Sequence, residues 1–116
     1  MVLRAGIGGL LLLAVANGAC AEEAFIGRWA INPAGCTSEG DSAATAPLYA
    51  TATTVKWFVA SCVIGKMYKT GMAVHIQARC SNEGRTVSTP ITLEARGDRL
   101  RVIWDGVKIE DMHRCK

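Results

Sequence analysis

The chain has 116 residues, 50% of them hydrophobic, with 13 Lys and Arg against 10 Asp and Glu and a formal net charge of +3. Arg79, Arg85, Arg96, Arg99, Arg101 and Lys108 alternate with acids and apolar residues instead of clustering, which describes a solvated surface and speaks against a nucleic-acid partner.

The chain begins with one positive charge, Arg4, followed by an apolar stretch from Ile7 to Ala16 broken only by Gly8 and Gly9. That is the length of a signal-peptide core. A membrane-spanning helix needs about 20 apolar residues, and Asn17, Gly18, Glu22 and Glu23 end the run too early, so no membrane span is expected. Ala19 and Ala21 supply the A-x-A spacing of a cleavage site. Residues 1–21 are therefore expected to be a signal peptide and 22–116 one mature domain, periplasmic or secreted. A second cut stands beside this one. Asn17-Gly18-Ala19-Cys20 resembles a lipoprotein signal in which Cys20 would carry a lipid anchor, although such signals usually have Leu where this chain has Asn17.

Loss of residues 1–21 leaves 95 residues and removes Arg4, so 12 basic residues face 10 acidic ones, a net charge of +2. A domain this small buries only about 60 to 65% of its unfolded surface and gains much from a covalent staple. Discarding Cys20 leaves Cys36, Cys62, Cys80 and Cys115, an even number for an oxidising compartment, and their wide spacing fits no CxxC zinc pattern. Two disulfides are expected.

Along the mature chain the apolar period is two. Phe25, Gly27, Trp29 and Ile31 share one side of a strand over residues 25–31, with Ile26, Arg28 and Ala30 on the other. Residues 33–47 are rich in Pro, Gly, Ser, Thr and acids and form the one long loop. Val55, Trp57 and Val59 mark a second strand. Cys62, Ile64 and Tyr68 mark a third, whose apolar side is interrupted by Lys66 unless Gly65 forms a bulge that turns Lys66 to solvent. Met72, Val74, Ile76, Ala78 and Cys80 alternate cleanly, as do Val87, Thr89, Ile91, Leu93 and Ala95. Pro90 cannot donate to a ladder, so its strand lies at an edge or carries a bulge there. Leu100, Val102 and Trp104, then Val107 and Ile109, complete seven strands.

Thr70-Gly71, Asn82-Glu83-Gly84, Gly97-Asp98 and Asp105-Gly106 separate these runs, and Asp-Gly is the strongest short hairpin signal. Short turns and alternating faces predict an all-β, antiparallel up-and-down meander closing into a barrel of about seven or eight strands. With seven strands, Cys36 follows the first at the end where Cys115 finishes the last. Cys62 and Cys80 stand equally far from Gly71, so a three-residue hairpin loop would set them opposite one another. The expected pairs are Cys36 with Cys115 and Cys62 with Cys80.

Chemistry-bearing residues are few. His75 faces outward with no nucleophile motif beside it, and His113 neighbours Glu110, Asp111 and Cys115, of which at most two can converge from one strand. No G-x-S-x-G, HExxH or phosphate-binding glycine loop occurs, so neither catalysis, nor a metal, nor a cofactor is expected. The long loop is the candidate recognition element, with Thr37, Ser38, Glu39, Gly40 and Asp41 at its centre, since binding residues concentrate on loops held by a rigid scaffold.

Gly27-Arg28-Trp29 on the first strand and Arg114 near the end of the last resemble the calycin superfamily, which includes lipocalins, avidins and small bacterial inhibitors of secreted metalloproteases. That resemblance implies a β-barrel in which Trp29 closes one end beside Gly27 and Arg114 packs over the indole, with a cation–π contact. Together these readings point to an exported, non-enzymatic module that recognises or inhibits an unknown protein partner through its loops. The alternative is a small-molecule carrier of lipocalin type, which requires an interior cavity.

Overall fold

The computed structural model describes residues 24–37 and 42–116. The expected signal peptide, its cleavage site and Cys20 lie outside these, as do Ser38, Glu39, Gly40 and Asp41.

Eight strands close into an antiparallel barrel in chain order: β1 Gly27–Ala30, β2 Leu48–Ala50, β3 Thr54–Trp57, β4 Ala60–Thr70, β5 Ala73–Asn82, β6 Arg85–Arg96, β7 Arg99–Trp104 and β8 Val107–Arg114. β8 returns to pair with β1. Closure removes the two outer edges of an open sheet, although the long strands β4 and β6 extend past their shorter neighbours β3 and β7. Two disulfides, Cys36–Cys115 and Cys62–Cys80, are formed. Among the described residues no helix is long and apolar enough to cross a membrane.

The hairpins follow their turn residues. Glu83-Gly84 and Asp105-Gly106 both hold positive φ at each position, the type I′ geometry whose twist matches two-residue β-hairpins. Between the turns, inward residues of every strand fill the barrel. Phe25, Trp29, Leu48, Ile91, Leu93, Leu100 and Met112 are the largest of the fully buried side chains. Each stabilises the fold by about 1.5 to 3 kcal/mol through removal of apolar surface from water.

Four features depart from the sequence pattern. The first is β2, which adds an eighth strand just after the long loop. Leu48 and Ala50 point inward and Tyr49 outward, an alternation only three residues long that acquires its strand character from pairing with β1 and β3. The first strand is correspondingly shorter than residues 25–31. Phe25 is buried ahead of it, where its carbonyl accepts the Trp29 indole N–H at 3.0 Å.

The second is the bulge at Gly65. The register steps between Ile64 and Lys66, and a Cβ at Gly65 would stand 2.9 Å from the carbonyl oxygen of Gln77, so glycine alone fits without a shift. Lys66 is thereby turned out, as expected. Tyr68 turns out with it, against expectation, and lies opposite His75, while Met67 and Lys69 take the side facing Ile76 and Val74.

The third concerns the disulfides. Cys62 and Cys80 are register partners, but the turn between β4 and β5 has two residues, Gly71 and Met72, not three. The extra residue of the Gly65 bulge restores the register that a three-residue loop would have given. For Cys36 and Cys115 the end-to-end reasoning needs correction too. With eight strands β1 and β8 run in opposite directions, so the chain leaving β1 must double back. It does so in a 3-10 turn, Pro33–Cys36, capped by the Asn32 side chain on the Gly35 N–H. The turn lays Cys36 beside Arg28, whose guanidinium donates to the Cys36 carbonyl and whose own carbonyl accepts the Cys115 N–H at 2.7 Å.

The fourth is Pro90. β6 is not an edge strand along its length, since β7 pairs with Ile91 through Arg96. Pro90 stands where that pairing stops, and its carbonyl accepts the Asp105 N–H at 2.8 Å.

Candidate functional site

The seam between β1 and β8 holds only two register pairs, Trp29 with Arg114 and Ala30 with His113. Side chains reinforce it. Trp29 is fully buried, and the Arg114 guanidinium carbon lies 4.1 Å from its ring centroid. Arg114 Nη1 donates to the Ile26 carbonyl at 3.1 Å and Nη2 to that of Ala24 at 2.9 Å. Gly27 makes the approach possible. A Cβ there would stand 2.7 Å from Arg114 Nη1, and the backbone has φ +151. Gly27, Trp29 and Arg114 thus form one structural device that ties the segment before β1 to the end of β8.

The barrel interior is occupied by side chains. Trp57 and Trp104 meet at one mouth with ring centroids 5.3 Å apart, and Phe25, Met67, Lys69 and Val74 border a small cavity of about 90 Å³ at another point of the rim. Larger concavities lie on the outer surface.

One is a cavity of about 440 Å³ on the outer wall of β4, β5 and β6, lined by Lys66, Tyr68, His75, Gln77, Pro90 and Thr92. Tyr68 stacks on His75 at 4.8 Å between centroids. The imidazole is held at both nitrogens, Nε2 with Thr70 Oγ1 at 2.7 Å and Nδ1 with Thr92 Oγ1 at 3.2 Å. Its neighbours there are two threonine hydroxyls and an aromatic ring, which together fix the orientation of the imidazole. His113 is exposed opposite Arg99, and Asp111 lies 3.9 Å from the Arg99 guanidinium. Among the described residues no three His, Cys, Asp or Glu side chains converge as a metal site.

Another stands beside the long loop. Thr37 closes the 3-10 turn, its N–H donating to the Ala34 carbonyl, and the chain returns through Ser42 and Thr45, which exchange side-chain and backbone bonds. Where the returning chain enters β2, Ala46, Pro47, Tyr49, Lys56, Trp57 and Phe58 line a groove of about 170 Å³. Arg28 lies 5.3 Å over the Tyr49 ring. Phe58, in the β3–β4 turn, has positive φ (56°), which presents its ring at the surface. The Trp57 indole N–H is buried without a hydrogen-bond partner among the described residues.

Of the residues expected in the partner loop, the structure therefore describes Thr37 alone, and it adds Tyr49, Lys56, Trp57 and Phe58, which the sequence did not single out. Their signal was present only as aromatic residues flanking the loop. Their grouping requires β2 to exist and to pair with β3. Comparison of the chain with protein-family models, with curated proteins and with solved structures found no match.

Proposed function

We propose that this protein is an exported binding module that recognises a protein partner through the long loop and the aromatic groove beside it. The observation that carries this reading is the groove of Pro47, Tyr49, Lys56, Trp57 and Phe58, with the Tyr49 and Phe58 rings exposed, set against a barrel whose interior is filled. Exposed aromatic rings beside a basic side chain are the kind of surface that anchors protein interfaces. Export is supported by the two disulfides together with the apolar leader and its A-x-A site. The calycin relationship belongs to the same reading, supported by an eight-stranded antiparallel barrel and by Arg114 stacked on Trp29 behind Gly27. A lipocalin-type carrier loses ground because Trp29, Phe25, Leu93, Leu100 and Met112 occupy the space a ligand would need.

The test is affinity capture from periplasmic extract with immobilised protein, comparing wild type with Tyr49→Ala/Phe58→Ala and with Arg101→Ala on the opposite wall. The expected result is a protein retained by wild type and by Arg101→Ala but lost with the double variant. Retention that ignores Tyr49 and Phe58, or no retained protein, argues against the reading.

A further inference from the structure

β6 is longer than the strand that follows it. All ten residues of β5 find partners on β6, but β7 covers only Ile91 through Arg96, which leaves Arg85 to Thr89 paired on one side alone. The phase of the free edge follows from the turn. A two-residue hairpin loop at Glu83-Gly84 makes Asn82 and Arg85 a hydrogen-bonded pair, and such pairs recur at every second residue. Arg85, Val87 and Thr89 therefore bond to β5, while the N–H and C=O groups of Thr86 and Ser88 point into the slot beyond the end of β7. Pro90 shares the phase of Thr86 and Ser88, so its missing N–H faces that slot and costs the β5 ladder nothing. No backbone partner for Thr86 or Ser88 on that side occurs among the described residues.

We infer that this edge joins two copies of the chain, β6 to β6, antiparallel about a two-fold axis through Val87. The register is self-complementary. Thr86 of each copy meets Ser88 of the other, both in the outward phase, and the two pairs exchange four backbone hydrogen bonds. Between them Val87 meets Val87 as a non-hydrogen-bonded pair, the geometry in which side chains approach closest. Val87 is 58% exposed, between Arg85 and Thr89 on its face of the strand, and would be covered by this contact. The two Arg85 side chains lie at opposite ends, each across from Thr89 of the other copy and near the turn where Asp105 is tied to Pro90, so like charges do not face one another. The free edge of β4 is a poorer candidate. It is interrupted by the Gly65 bulge and carries Lys66 and Lys69, devices that discourage strand addition, whereas Thr86-Val87-Ser88-Thr89 has no charge and high strand preference.

Pairing over so few residues is weak, so the test is sedimentation equilibrium of the disulfide-bonded protein over a range on the order of 10 µM to 1 mM. Wild type is expected to pass from monomer to dimer across that range. Ser88→Pro removes an edge donor without touching the β5 ladder, and Val87→Lys sets two ammonium groups opposite each other at the axis. Both are expected to stay monomeric with wild-type circular dichroism. Hydrogen exchange on wild type supplies a reading that needs no variant. Thr86 and Ser88 amides should gain protection as concentration rises, while the Val87 amide, already bonded to β5, should not change. A wild type that remains monomeric at 1 mM, a dimer that survives Ser88→Pro, or Thr86 and Ser88 amides indifferent to concentration each overturns the inference.

Discussion

The guanidinium of Arg114 lies against the ring of Trp29 at 4.1 Å and, from the same position, donates to two carbonyls of the segment ahead of β1. One side chain thus holds the last strand, the first strand and the chain that precedes it. Arg114→Ala should lower stability by about 1 to 2 kcal/mol, the sum of a surface cation–π contact and charge-assisted hydrogen bonds that water partly replaces. Arg114→Lys should recover little of it, because an ammonium cannot stack flat and bond both carbonyls at once. Urea unfolding midpoints measure both.

Gly27 and Arg114 should be energetically coupled. Gly27→Ala places a methyl 2.7 Å from Arg114 Nη1 at a φ that side chains rarely adopt, so it should cost about 1 to 3 kcal/mol. Part of that cost is displacement of the guanidinium. In an Arg114→Ala background the same substitution should therefore cost less, by more than the roughly 0.5 kcal/mol within which independent sites add.

The two disulfides should differ in worth. Cys36–Cys115 joins residues 79 apart and Cys62–Cys80 residues 18 apart, so loop-closure entropy assigns them about 4.5 and about 3 kcal/mol respectively. Replacing Cys36 and Cys115 by Ser should lower the thermal midpoint more than the same change at Cys62 and Cys80. The reverse order would mean that the β1–β8 seam stays closed without its covalent tie.

Gly65 sets the register of β4 against β5. Gly65→Ala drives a methyl toward the Gln77 carbonyl, and the least costly escape is loss of the bulge, which slides Cys62 away from Cys80. Refolding of the reduced variant should give a lower yield of the native Cys62–Cys80 link than wild type, read by peptide mapping without reduction.

The long strands were legible because their alternation runs for seven residues or more between turn residues of specific type, as from Val74 to Cys80 and from Thr89 to Ala95. β2 was not, since three residues carry no period and Leu48 becomes a strand residue only between β1 and β3. The bulge at Gly65 was anticipated from glycine beside a misplaced Lys66. Its consequence for Tyr68 was hidden, because a slip of one residue reverses every later side chain. The same limit applied to the disulfide ends. The correct partners followed from an odd strand count, whereas the barrel has an even one and reaches Cys36 by a backward turn. The groove of Tyr49, Lys56, Trp57 and Phe58 depends on β2 pairing with β3 and had no linear signature.

Recognition beside the loop is tested most directly by a photoreactive amino acid placed at residue 58, and in a second variant at residue 101, in protein produced from the full sequence in living cells. The β3–β4 turn and the centre of β7 lie on opposite walls of the barrel. Irradiation should yield a discrete protein adduct from residue 58 and none from residue 101. An adduct from residue 101 alone, or from neither, would contradict a partner surface built on the loop and its aromatic groove.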